Sequence, residues 1–240
     1  MKGSVSQRFT SGDRTWTGTP VWAPDSRRVL FTDFATEYQI KPIRGGDVER
    51  WTHGVKSRGG WPRQWSSDGK YIVFTQNDPS TLWDIWLLPL SGERKPLPYL
   101  VTRFAEGTPA VSPDSRWVAY VSDESGSSEI YVNSFPRPGT PVRISTTGGI
   151  QPVWRRDGRE LFYIAADRRL MAASLQMQGG EVLVAERRAL FDVGYLDTRD
   201  ERPQYAVLGN GERFLMTAMA EQHANRDMTV VLNWPALLKD

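Results

Sequence analysis

The chain has no cysteine and only two histidines, His53 and His223. Disulfide frameworks and thiolate chemistry are therefore excluded, and imidazole is available as a general base at two positions only. Both histidines fall in segments that read as inter-strand loops, so each is taken as a loop residue. No apolar run is long enough to span a bilayer, and the start, Met1 to Arg8, carries no signal-like apolar stretch. As written, the chain is expected to be cytoplasmic and not inserted in a membrane. A truncated N-terminus would make a periplasmic or extracytoplasmic placement the alternative. Charge of one sign is lacking too: 30 basic residues face 28 acidic ones, a net of +2. No global field then favours nucleic acid. Lysine is scarce, at positions 2, 41, 56, 70, 95 and 239, so arginine carries most of the positive charge. Helical periodicity is missing as well, since no segment sustains an apolar repeat of about 3.6 residues.

What the chain does have is a repeated phrase: an apolar residue, two further positions, Asp or Asn, then Gly or Ser, then a charged residue. Its copies are Trp22 to Arg27, Trp65 to Lys70, Val111 to Arg116, Trp154 to Arg159 and Val207 to Glu212. The turn residues Asp25, Asp68, Asp114, Asp157 and Asn210 lie 43, 46, 43 and 53 positions apart. A period near this length marks a radial or stacked repeat architecture. The third copy shows the unit most cleanly. Pro113-Asp114-Ser115 suits a tight turn, because Pro presets φ and Asp bonds back to following backbone N–H groups. Trp117 to Ser122 follows as a β-branched and aromatic strand, then a polar loop from Asp123 to Ser128, then Glu129 to Phe135. Pro141 to Ser145 supplies a fourth strand.

Four short antiparallel strands per unit make the blade of a β-propeller. The fold expected is thus all-β, one propeller domain over residues 1–240. Its repeats run roughly 18–57, 60–106, 108–148, 150–195 and 203–235. The last repeat stops after its third strand, while residues 5–10 read as an orphan outer strand. Ring closure by residues 5–10 would leave no open edge and give five blades. A six-bladed ring cut short is the alternative.

The phrases resemble the repeats of the TolB C-terminal propeller family, also called WD-like repeats. That pattern runs Pro-x-Trp-Ser-Pro-Asp-Gly-Lys, then an apolar strand, then Asp-Ile-Tyr. Pro20, Trp22, Pro24 and Asp25 match it, as do Pro62, Trp65, Ser66, Asp68, Gly69 and Lys70. Pro109, Ser112, Pro113 and Asp114 with Glu129-Ile130-Tyr131 match well, and Pro152, Trp154, Asp157 and Gly158 in part. The ending Thr229 to Trp234 is similar to the C-termini of bacterial Ser/Thr protein kinases that carry such a propeller. The resemblance implies a sensory or interaction tail rather than a kinase.

Catalytic motifs are missing: no Gly-x-Ser-x-Gly, no His-Arg-Asp, no Asp-Phe-Gly and no glycine-rich phosphate loop. The repeated Asp residues read as turn acceptors rather than metal ligands, and the repeated Trp residues as packing between blades. The acidic loop Asp123 to Glu129 lacks the spacing of a known Ca²⁺ loop and reads as solvated. No cofactor and no metal site is expected. Arginines cluster in the fourth repeat, and residues just before the turn lie on the innermost strand. Arg63, Arg155 and Arg156 are accordingly the candidates to hold a carboxylate or phosphate at the channel mouth. The expected function is a non-catalytic, monomeric scaffold for a protein, peptide or small anionic ligand. A TolB-like envelope component and an enzyme with its site in the funnel are the alternatives.

Overall fold

The computed structural model describes residues 18–32, 38–51, 60–194, 202–217 and 230–231. The expected closing strand 5–10, His53 and His223 lie outside them. Among the described residues there is no helix. The described residues hold nineteen strands, in five separate antiparallel meanders, one per repeat. The first holds β1 (Gly18–Trp22), β2 (Arg28–Thr32), β3 (Tyr38–Pro42) and β4 (Glu49–Trp51). The second holds β5 (Trp61–Trp65), β6 (Tyr71–Asp78), β7 (Leu82–Pro89) and β8 (Leu97–Leu100). The third holds β9 (Glu106–Val111), β10 (Trp117–Ser122), β11 (Glu129–Ser134) and β12 (Val142–Arg143). The fourth holds β13 (Ile150–Trp154), β14 (Glu160–Ile164), β15 (Arg169–Gln178) and β16 (Glu181–Asp192). The fifth has three described strands, β17 (Tyr205–Leu208), β18 (Arg213–Met216) and β19 (Val230–Val231). The outer hairpin of the fourth blade is longer than its repeat predicts. Gly179 and Gly180, at φ +62° and +84°, make a two-residue turn that lets pairing run on from Arg169↔Asp192 to Gln178↔Glu181.

Each blade packs face to face on the next, and the alternation of side chains along a strand serves two interfaces at once. On β14, Leu161 and Tyr163 join the core shared with the third blade, whereas Phe162 and Ile164 join the core shared with the fifth. All five β14 residues are therefore buried. Trp65 and Trp154 fill interfaces with the preceding blade, at 5% and 8% exposure. Trp22 departs from the expected packing: no described sheet precedes the first blade to receive it, and it is 59% exposed.

The repeated phrase is the turn from first to second strand in every blade. In four copies Asp Oδ1 accepts the backbone N–H two residues on: Arg27 at 2.8 Å, Lys70 at 3.1 Å, Arg116 at 3.1 Å and Arg159 at 3.0 Å. The backbone hydrogen bond from Arg27 also holds the Asp25 carboxyl below its ordinary range. The residue after each Asp, and after Asn210, is left-handed: Ser26 at φ 54°, Gly69 at 75°, Ser115 at 54°, Gly158 at 73° and Gly211 at 93°. Hence the Gly or Ser of the phrase. Serine carries a penalty there that glycine avoids. Ser26→Gly is expected to stabilise the protein by about 0.5–1 kcal/mol in urea unfolding. Ser115→Gly should gain less, because Ser115 Oγ accepts the N–H of Asp68 at 3.0 Å and ties the second blade to the third. Equal gains at the two positions would refute that tie.

Candidate functional site

The first strands of consecutive blades approach one another, β1 with β5, β5 with β9, β9 with β13 and β13 with β17. They are the innermost strands, and together they wall a central cavity of about 580 Å³. Prolines from every blade line it: Pro20, Pro62, Pro109, Pro152 and Pro203, on or just before the innermost strands, with Pro113 from the third-blade turn. The physical reason lies in the edge. An innermost strand has no neighbour on its axial side, and proline presents no unpaired N–H there. In the first four blades the ladder to the second strand is irregular at this point: between Gly18 and Val21, between Pro62 and Gln64, opposite Gly107 to Ala110, and between Ile150 and Val153. Two of the residues before these prolines, Thr108 and Gln151, are left-handed at φ 46° and 56°.

Side chains from neighbouring blades satisfy the edge groups that proline does not remove. Gln64 reaches across to β9, donating Nε2 to Val111 O at 3.2 Å and accepting Val111 N–H at 2.7 Å. Its amide thus imitates one rung of a β-ladder. Trp154 donates Nε1 to Ala110 O at 2.7 Å from the other side. Gln151 accepts the Gln204 N–H at 3.0 Å, and its carbonyl accepts the Tyr205 hydroxyl at 2.9 Å. Burial pushes that phenol well above its ordinary pKa. The channel wall is in this way cross-linked blade to blade by the repeated Trp154 and by Gln64 and Gln151, which lie outside the repeated phrase and which the sequence reading passed over. Glutamine at a strand position carries no distinctive signal.

Arg63 lines the cavity, and its Nε donates to Thr75 Oγ1 at 2.8 Å, which sets the direction of the guanidinium. Arg202 lines the fifth-blade side. Among the described lining residues these are the charged ones: two cations and no acid. The buried hydroxyl of Thr108 also borders the cavity, and it has no hydrogen-bond partner among the described residues.

The structure sets Arg155 and Arg156 apart from Arg63. They border a second recess, of about 690 Å³, shared by the turns of the fourth and fifth blades and lined also by Asp157, Glu160, Arg188 and Asn210. Arg155 pairs there with Asp157 at 2.7 Å and with Glu160 at 2.6 Å, while Arg188 meets Glu160 at 2.9 Å. The hydrogen bonds from Arg155 hold the Asp157 carboxyl below its usual range. Arg155 is thus an internal clamp across the β13–β14 hairpin, and Arg156 is exposed at the rim. Asn210 sits in the β17–β18 turn closed by Gly211 N–H to Leu208 O at 3.2 Å.

Solved structures of other proteins share this fold. TolB from Acinetobacter baumannii superposes with a TM-score of 0.63 at 21% identity over 84% of this chain. The fold is that of a TolB-like β-propeller. An oligogalacturonate lyase in complex with manganese matches with a TM-score of 0.65 at 13% identity over 89% of the chain. A puromycin-hydrolyzing peptidase of Mycobacterium tuberculosis matches with a TM-score of 0.58 at 17% identity over 85%. The propeller spans 48%, 61% and 35% of those three chains. At such identities the likeness concerns fold, and these neighbours include proteins named as enzymes. No protein-family model matches the chain, and no curated protein matches it.

Proposed function

We propose that this propeller is a non-catalytic binding module that takes an extended peptide segment bearing a carboxylate into its central channel. The observation that carries the reading is the wall itself: a proline from every blade, apolar Val21, Ala110 and Val153 between them, two arginines, and no acid among the described lining residues. Proline and aliphatic surface suits an extended apolar segment, and a guanidinium on that wall favours an anion over a cation. The described lining offers no carboxylate or imidazole to serve as general acid or base, which supports binding over turnover. The setting we infer is a monomeric, cytoplasmic sensory module of bacterial signalling, such as the tail of a Ser/Thr protein kinase. The similarity of Thr229 to Trp234 to such tails supports it.

The test uses Trp154, which lines the channel, as an intrinsic fluorescence reporter. A panel of apolar octapeptides is titrated with a free C-terminal carboxylate and, in parallel, with an amidated end. Saturable binding of the free acids is expected. Arg63→Ala should weaken it by roughly tenfold to a hundredfold, the worth of a hydrogen bond to a charged group. Arg156→Ala, outside the channel, should leave it unchanged. Equal affinity for acid and amide, or indifference to Arg63→Ala, would overturn the reading.

A further inference from the structure

The repeats can be compared junction by junction, and one junction carries an acid that its counterpart lacks. Between the third and fourth blades, Glu129 is buried at the start of β11 and accepts the Ser145 hydroxyl and the Gly148 N–H at 3.1 Å. Gly149 comes next. An added Cβ there would lie 2.6 Å from Ile130 Cγ1 and 2.7 Å from Ser145 Oγ, so no side chain fits.

Counting back from Pro109 as from Pro152, the equivalents between the second and third blades are Thr102 for Ser145, Ala105 for Gly148 and Glu106 for Gly149. Ladder register makes Asp84, opposite Gln76, the equivalent of Glu129, opposite Ser122. Asp84 is one methylene shorter than Glu129 and accepts Thr81 Oγ1 at 2.8 Å instead. The Thr102 hydroxyl turns to Glu106, and the Ala105 N–H goes to Asp123 Oδ1 at 2.9 Å. The junction therefore holds two carboxyls where the next holds one. Both are 2% exposed. One oxygen of each, Asp84 Oδ1 and Glu106 Oε2, has no partner among the described residues.

The side chains come from packed elements: β7 carries Asp84 and β9 carries Glu106. Glu106 faces the carboxyl of Asp84, that of Asp123 beyond the end of β10 and the phenol of Tyr120 on β10, and Asp84 faces Glu106 and also Asp78 at the end of β6. None of these groups is basic. Two buried carboxylates with like charges for neighbours cannot both ionise cheaply, and one proton between them removes the repulsion and supplies a donor. We propose that Asp84 and Glu106 hold one proton in the folded protein, and that its release is a switch loosening the second blade from the third beside the channel. Thr108, two residues along β9 from Glu106, is part of the channel wall.

Burial, with the charge of Asp84 adding to it, pushes Glu106 up to about 7, and burial raises Asp84 as well. The sign follows. A carboxyl raised in the folded state binds its proton more tightly there than in the unfolded chain. Its stabilisation is complete below the unfolded value near 4.5 and is lost as pH rises through about 7.

Urea unfolding followed by tryptophan fluorescence from about pH 5 to pH 8.5 tests this. Relative to Glu106→Gln, the wild-type unfolding constant should rise about tenfold per pH unit up to about pH 7 and then level off. Glutamine keeps a donor for Asp84, so that variant should show no such rise. Infrared spectroscopy of the folded wild type is the second measurement. It should show a protonated-carboxyl band at about pH 6 that is gone by about pH 8.5 and missing in Glu106→Gln. The proposal fails if wild type and variant share one pH profile, or if the wild type shows no protonated carboxyl near pH 6. It fails equally if millimolar Ca²⁺ at about pH 8 raises the wild-type midpoint and not that of Glu106→Gln, since the junction would then hold a cation rather than a proton.

Discussion

Replacing Trp154 with alanine is expected to lower stability by about 3–5 kcal/mol, the range for deleting a large buried aromatic. The side chain belongs to the buried core that holds Trp117, Ala119 and Ile130 of the third blade, and its indole N–H closes the 2.7 Å bond to Ala110 O on the innermost strand. The alanine variant loses both. In a repeat array, stability approximates a sum of unit terms and nearest-neighbour interface terms. Weakening one interface should then divide the array, with the fourth and fifth blades unfolding apart from the first three. Urea unfolding read at once by fluorescence and far-ultraviolet dichroism should become non-coincident. Trp154→Phe keeps most of the packing and leaves Ala110 O without its donor, at about 1–3 kcal/mol. Trp22→Ala is the internal control. Trp22 holds the same place in its repeat but is mostly exposed, so its removal should change stability by no more than about 0.5 kcal/mol. If Trp22→Ala and Trp154→Ala cost the same, the repeat position and not the blade interface sets the energy, and the packing argument fails.

That contrast also shows how far the sequence could be read. The turns were legible because their chemistry is local: Asp25, Asp68, Asp114 and Asp157 each bond a backbone N–H two residues away, and the next residue must be left-handed. The antiparallel blades were legible because both faces of a blade are buried, which makes stretches such as Leu161 to Ile164 continuous apolar runs between turns. Arg63 was placed near the axis by its repeat position alone. Its neighbour in that reasoning, Arg155, illustrates the limit. The partner that ties Arg155 down is Glu160, five residues on, and pairing across a hairpin depends on side-chain direction that a repeat alignment does not contain. Gln64, Gln151 and Glu106 were missed for a related reason. They do not recur, and their roles arise only where two blades meet. The sites that matter here are departures from the repeat, and a periodic pattern averages departures away.

Phe162→Ala should be as costly as Trp154→Ala, about 3–5 kcal/mol, but should act on the other side of the same blade. Phe162 is fully buried and meets Phe214 edge to face, with ring centroids 5.1 Å apart. Phe214 in turn meets Phe191 at 5.6 Å, so one truncation opens an aromatic chain that joins the fourth blade to the fifth. The hole would lie against Gly211, whose added Cβ would sit 3.1 Å from the Phe162 ring, so the turn has little freedom to collapse into it without moving the Arg155 clamp beside it. The fifth blade shows one large core among the described residues, the one shared with the fourth, so it should open first. Hydrogen exchange at Tyr205 to Leu208 is expected to accelerate by about two to four orders of magnitude, as the local opening energy falls by about 3–5 kcal/mol. Exchange on β6 and β10 should change much less. Phe162→Leu, which leaves a smaller void, should recover most of the protection. Tyr205, Ala206 and Val207 also line the channel, so peptide binding should weaken together with fifth-blade protection. Uniform acceleration of exchange across all blades would mean that the propeller opens as one cooperative unit, and the blade-by-blade account of both truncations would have to be abandoned.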